Sequence, residues 1–198
     1  MHATLAHREQ AQPVWLFAYG SLIWNPLLKY EELQPAVLQG WHRSFCIRLL
    51  DGRGSKHVPG RMLALKAGGQ TTGVAFRLRE DMLLDELRIV WVREMVHGLY
   101  CPIWTTVRLG SGQTVQTLAF VADTEHVMYE DDTSIATSSK VIAKACGHLG
   151  SNRDYLMRLE ACLATHHIHD TYIAELAAAV RAQPDGVPAQ SSTRSEQA

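Results

Sequence analysis

At 198 residues and 22.1 kDa the chain is sized for one domain with a true core. Its 46% apolar and 20% charged residues are globular values and exclude a wholly disordered chain. Nineteen basic residues against twenty acidic ones leave a net charge of -1, which removes the usual electrostatic reason to expect nucleic acid or an anionic membrane as partner.

Residues 1–13 carry histidines, Arg8 and Glu9 but no apolar stretch of the secretory-signal kind, and are expected to form a flexible arm. Residues 14–19 (VWLFAY) are a short apolar run closed by Gly20, which predicts a buried strand. Residues 36–50 hold more strand-like sequence, with Trp41, Phe45, Ile47 and Leu49 partly alternating. A polar, Gly-rich stretch at 51–60 interrupts before strands predicted at 61–66 and 72–78, with Gly68-Gly69 as the hairpin turn between them. The period then lengthens: residues 80–93 place Leu83, Leu84, Leu87, Val90 and Trp91 at helical spacing behind an acidic first turn. Two strands, 103–109 and 114–122, flank Gly110-Ser111-Gly112, and the remainder reads as helical. Ser151 with Asp154 resembles a capping box ahead of Tyr155, Leu156, Leu159 and Leu163, and Asp170 caps a last helix carrying Ile173, Leu176 and Val180. Residues 183–198 are rich in Pro, Ser, Gln and Gly and read as a disordered tail, which leaves 14–182 as a single catalytic-sized domain. Strands first, one helix in the middle and helices last predict an α+β fold, with some six short strands available to close a small barrel.

Cys46, Cys101, Cys146 and Cys162 form no C-x-x-C pair and are expected to be four buried thiols in a reducing, cytoplasmic setting. No apolar run approaches the length of a membrane span.

Four segments carry side chains suited to chemistry. Tyr19-Gly20-Ser21-Leu22 directly follows the first strand, where successive backbone N–H groups can converge on a carboxylate. Ser21 lacks the second glycine of a hydrolase nucleophile elbow. Glu94 sits near a helix C-terminus, against the macrodipole, beside Val92, Met95 and Val96. It reads either as an ion-pair partner of Arg93 or as a carboxylate whose raised pKa suits a general base. Residues 165–170 (THHIHD) invite a metal reading, but they lie between two helices without an i, i+4 ligand pair, and an interhelical turn fits better. Tyr129 lies in a polar loop at 128–133.

Taken together in order, these segments resemble the ChaC-like family of gamma-glutamylcyclotransferases. The resemblance rests on residues 17–26 (FAYGSLIWNP), 40–46 (GWHRSFC), 53–55 (RGS), Pro59-Gly60, the Glu94 segment, Tyr129 and 150–156 (GSNRDYL), collinear over most of the chain. It implies a small mixed β-barrel core with packed helices. It also implies a lyase activity in which the γ-glutamyl group of glutathione closes to 5-oxoproline and Cys-Gly is released, without metal or cofactor. The family's catalytic glutamate falls on Glu94 and its glutamyl-binding loop on Tyr19, Gly20, Ser21 and Leu22. Arg43 and Tyr129 match further family positions and are counted with the substrate-binding set. The small-molecule substrate implies neither nucleic acid nor membrane as partner, and a monomer or weak homodimer is expected. The same scaffold serves two alternative readings: a cyclotransferase for other γ-glutamyl amines or amino acids, and a non-enzymatic regulatory binding module.

Overall fold

A computed structural model describes residues 1–8 and 12–184, and the tail expected beyond 184 lies outside the described residues. Five strands close a barrel in the order β1-β3-β2-β4-β5. They are β1 (Trp15–Ala18), β2 (Tyr30–Leu49), β3 (Gly60–Leu78), β4 (Tyr100–Leu109) and β5 (Thr114–Ala122). The helices are α1 (His2–Leu5), α2 (Leu83–Met95, entered through a 3-10 turn at Glu80–Met82), α3 (Ile135–Lys144), α4 (Asn152–Thr165) and α5 (Thr171–Arg181). A two-stranded hairpin, β6 (Cys146–Gly147) with β7 (Gly150–Ser151), precedes α4.

The barrel is mixed because β1 pairs antiparallel with β3 on one side and parallel with β5 on the other. Every residue of β1 is buried, as its unbroken apolar run requires for a strand covered on both faces. Ser151 caps α4 by accepting from the Asp154 N–H, and Asp170 caps α5 by accepting from the Ile173 N–H. Both caps are as the sequence predicts.

Three expectations are corrected. Gly68-Gly69 does not turn a hairpin; β3 runs through it as one strand. The two glycines, with φ of 105° and 67°, face a single residue of β2, Gly40, itself at φ 80°. β3 thus carries one extra residue at this level, a bulge that bends the β2–β3 ribbon instead of reversing it. The cysteines are not all buried: Cys46 is, Cys101 and Cys162 are partly covered, and Cys146 is exposed at the start of β6. The stretch expected as a flexible arm carries a turn of helix, from which the Thr4 carbonyl accepts a bond from Trp104 Nε1 at 2.7 Å. Arg8 in the same stretch pairs with Glu80 at 2.9 Å.

Candidate active site

Helix α2 is anchored through Leu83, Leu87 and Val90, all buried. These positions are spaced i, i+4 and i+7, and Glu94 falls at i+11 on the same stripe. Where the stripe runs past the barrel wall, it delivers a carboxylate instead of another aliphatic side chain. Glu94 lines a cavity of about 540 Å³, the size of a small-molecule site. Its side chain is 15% exposed. Burial pushes its pKa above the ordinary carboxylate value, and the neighbouring Arg93 pulls it partly back. The two sequence readings of Glu94 therefore both hold: the Arg93 Nε lies 3.3 Å from Glu94 Oε1, and the carboxylate is desolvated nonetheless.

The Tyr19–Leu22 segment lines the same cavity. After β1 the chain enters a tight turn in which the Ile23 N–H donates to the Gly20 carbonyl and the Asn25 N–H to the Ser21 carbonyl, each at 2.9 Å. The N–H groups of Gly20, Ser21 and Leu22 are not consumed by those bonds. Gly20 is needed for clearance: a Cβ there would stand 3.1 Å from Leu63 Cδ2 and 3.4 Å from the Tyr155 hydroxyl. Arg93 ties the turn to α2 by donating to Ser21 Oγ at 2.7 Å and to the Asn25 carbonyl. The candidate base and the candidate carboxylate loop are thus held in one rigid frame.

Three phenols surround this frame. Tyr19 donates to the Phe120 carbonyl at 2.8 Å and Tyr100 to the Leu63 carbonyl at 3.0 Å, while Tyr155 shares a hydrogen bond with Ser21. Burial, with the Glu94 charge adding to it, raises all three pKa values, that of Tyr155 to about 12. They stay neutral at physiological pH. Glu94 is the acidic group on the buried wall among them.

Two expected binding residues stand elsewhere. Arg43 is fully buried outside the cavity, donating to the Tyr19 carbonyl at 2.7 Å, the Thr72 carbonyl at 2.8 Å and Asp170 Oδ2 at 2.9 Å. Its connection to the site is indirect, through the backbone of Tyr19. Tyr129 bridges to Ile47 and packs beneath Lys66, whose ammonium lies 5.5 Å from the ring centroid, and it does not line the cavity. Sequence reasoning assigned no role to Tyr100, Tyr155, Arg53 or Arg158, all of which line the cavity. The signal for Tyr155 and Arg53 was their place inside matched family blocks. Tyr100, at the first residue of β4, carries no local signal.

Residues 166–170 form the turn between α4 and α5, with His167 at φ 55°. Among the described residues no three His, Cys, Asp or Glu side chains are grouped to hold a metal ion. A second cavity, of about 620 Å³, lies between the N-terminal stretch and the end of β3. Its charges are already matched, Arg8 with Glu80 and Arg77 with Glu31 at 2.7 Å.

Residues 14–183 match the family described as ChaC-like protein. The chain belongs to that family. Among curated relatives, the glutathione-specific gamma-glutamylcyclotransferase of Escherichia coli (strain K12) is 47% identical over 190 residues, 93% of this chain and 82% of that one. Gamma-glutamylcyclotransferase 2-3 of Arabidopsis thaliana is 31% identical over 176 residues, 85% of this chain and 88% of that one. The selenomethionine-labelled crystal structure of the yeast cyclotransferase specific to glutathione superposes with a TM-score of 0.77 at 23% identity, covering 85% of this ChaC-like chain and 95% of the yeast one. That likeness bears out the α+β barrel fold. No helix among the described residues is long and apolar enough to cross a membrane.

Proposed function

We propose that this ChaC-like chain is a glutathione-specific gamma-glutamylcyclotransferase, with Glu94 as its general acid/base and the Tyr19–Leu22 turn as its glutamyl-binding loop. One observation carries the reading: a desolvated carboxylate and a turn with backbone donors line one cavity and are tied together by Arg93.

The substrate's α-amine attacks its own γ-carbonyl carbon, and a five-membered ring closes. Both reacting groups belong to one molecule, so proximity supplies much of the acceleration and no enzyme nucleophile is needed. The new bond joins the α-nitrogen to the γ-carbon, and the amide bond to cysteine breaks. Glu94 takes a proton from the α-ammonium to free its lone pair and returns it to the departing cysteine nitrogen. The second proton, shed by the attacking nitrogen as it becomes the lactam N–H, follows the same route, so cysteine leaves as an ammonium. Two protons thus pass from the attacking to the leaving nitrogen, and no electrons change hands. An α-ammonium titrates near 8 and an ordinary Glu near about 4.3, and the desolvation of Glu94 narrows that mismatch. The turn's N–H groups hold the α-carboxylate, which fixes the amine toward Glu94 and the bent conformer that cyclises.

The activity is proposed for the cytoplasm, where glutathione keeps thiols reduced, in a monomer or weak homodimer. Incubation with glutathione is expected to yield 5-oxoproline and Cys-Gly by mass spectrometry, with no free glutamate. N-acetylation of the substrate's α-amine is expected to abolish turnover. Glutamate as the primary product, or cleavage of the acetylated peptide, would refute the mechanism.

A further inference from the structure

Around the cavity the nitrogen-bearing side chains differ in what already occupies them. Arg93 is engaged by Glu94, Ser21 and the Asn25 carbonyl. His148 stands 3.2 Å from Asp51. Arg53 spends one donor on the Ser151 carbonyl at 3.0 Å, and its guanidinium carbon lies 5.7 Å from the Tyr155 ring centroid. Arg158 holds its guanidinium 5.6 Å from the Trp24 centroid. Among the described residues neither Arg53 nor Arg158 is paired with a carboxylate. A guanidinium has five N–H donors in a fork that matches a carboxylate, so both retain most of their capacity.

The two arginines share one wall. Trp24 and Tyr155 meet edge to face with centroids 5.7 Å apart, Arg53 lying over the second ring and Arg158 over the first. Tyr155 also gives this wall its direction, since its hydroxyl end adjoins Gly20 and Ser21 while its ring carries Arg53. The Arg53 loop is itself fixed, because the Leu149 N–H donates to the Gly52 carbonyl at 2.8 Å and Ser151 accepts from Arg53.

We infer that Arg53, supported by Arg158, is a second carboxylate subsite that receives the C-terminal glycine carboxylate of the tripeptide. The inference rests on the glutathione-cleaving reading and adds the residues that select its far end. On that reading the glutamyl carboxylate is held at the Gly20–Leu22 turn, which Arg93 ties to Glu94. The two residues beyond the scissile amide span at most about 7 Å, a reach that suits the step from the Tyr155 hydroxyl across its ring to Arg53. In a γ-glutamyl amino acid lacking the glycine the terminal carboxylate stops one residue, roughly 3.5 Å, short of Arg53, which is discrimination through an unmet polar group.

The test compares glutathione with its C-terminal glycinamide analogue, which removes the charge and changes nothing at the reacting end. In the parent protein the amide is expected to lower kcat/KM about 10- to 30-fold, mostly through KM, the size of one charge-assisted pair. In Arg53→Met the ratio of acid to amide is expected to fall to near one, and in Arg158→Met to fall part of the way. Arg53→Lys, which keeps the charge but loses the fork, is expected to retain an intermediate preference, and melting curves establish that each variant is folded. The subsite is overturned if the parent turns over both substrates within twofold, or if Arg53→Met keeps the full preference. Absence of 5-oxoproline from glutathione itself with the parent protein would overturn the cyclotransferase reading, a result distinguishable from both.

Discussion

Arg43 and Glu94 both carry charge out of water, and the molecule treats them in opposite ways. Arg43 is inside the barrel wall with its guanidinium saturated by two carbonyls and a carboxylate. Glu94 is nearly as covered, yet it meets one imperfectly placed arginine and a cavity. A saturated buried charge holds a structure in place and has nothing left to offer a ligand. An unsaturated one costs stability and keeps its reactivity. The balance of partners, more than burial, separates scaffold from site in this fold.

Glu94→Gln breaks the comparison most sharply, and two measurements read it. Activity is expected to fall on the order of a hundredfold to ten-thousandfold, the range for loss of an acid–base group, and turnover within about threefold of the parent would remove Glu94 from its role. Stability is expected to move the other way. Burial raises the Glu94 pKa above its unfolded value, so ionisation penalises the native state. The penalty is absent while the group is protonated in both states. It grows as the pH rises from the unfolded value of about 4.3 through the raised native pKa, and is constant above that. The Gln variant should therefore melt above the parent at pH 8 and level with it at pH 4, as scanning calorimetry at both values would read.

Arg43→Met should give the mirror image. Removing one partner of a buried ion pair costs about 3–5 kcal/mol, so the denaturation midpoint should drop while the KM of the folded protein changes little. A raised KM at unchanged stability would restore Arg43 to the substrate-binding set that its sequence position suggested.

Arg93→Met sharpens the contrast on the Glu94 side. Arg93 opposes the desolvation of that carboxylate, so its loss lets the Glu94 pKa climb further. The acid limb of the kcat/KM profile should shift to higher pH, and a limb that stays in place would detach Arg93 from the base. The smallest effect is expected from Tyr129→Phe, which keeps the ring under Lys66 and removes only the hydroxyl bonded to that lysine, outside the cavity. Activity should stay within about twofold, the scale of an ordinary surface substitution.

The legible parts of the molecule were those with a period or a cap. The apolar run of β1, the helical spacing of α2 and the caps at Ser151 and Asp170 each state their own geometry. The same spacing carried a further message: Leu83, Leu87 and Val90 lead directly to Glu94, so a carboxylate on a buried stripe is implied by the helical period alone. The bend at Gly68-Gly69 was not legible, because its positive φ is shared by hairpins and bulges. Only the matching irregularity at Gly40, on a strand nearly 30 residues away in the chain, decides between them. Arg43 and Tyr129 were misplaced for a related reason. Their positions in the sequence mark them as unusual, but whether a strand or loop residue faces the cavity or the wall depends on partners such as Asp170, 127 residues distant from Arg43. The phenols of Tyr100 and Tyr155 converge on Glu94 from β4 and α4, and no local pattern announces a meeting of that kind.

The partner that Arg43 finds in Asp170 has a consequence for how the protein is made. Domains tend to fold as units during synthesis. The loop that begins at Tyr19 is translated well before α5, so the arginine that grips its carbonyl has no carboxylate until Asp170 has been made. A nascent chain stopped short of residue 170 would hold Glu94, the turn and all three phenols without the bond that ties them to the far end. The stability of the frame around Glu94 should therefore arrive late, when α5 docks and Asp170 meets Arg43.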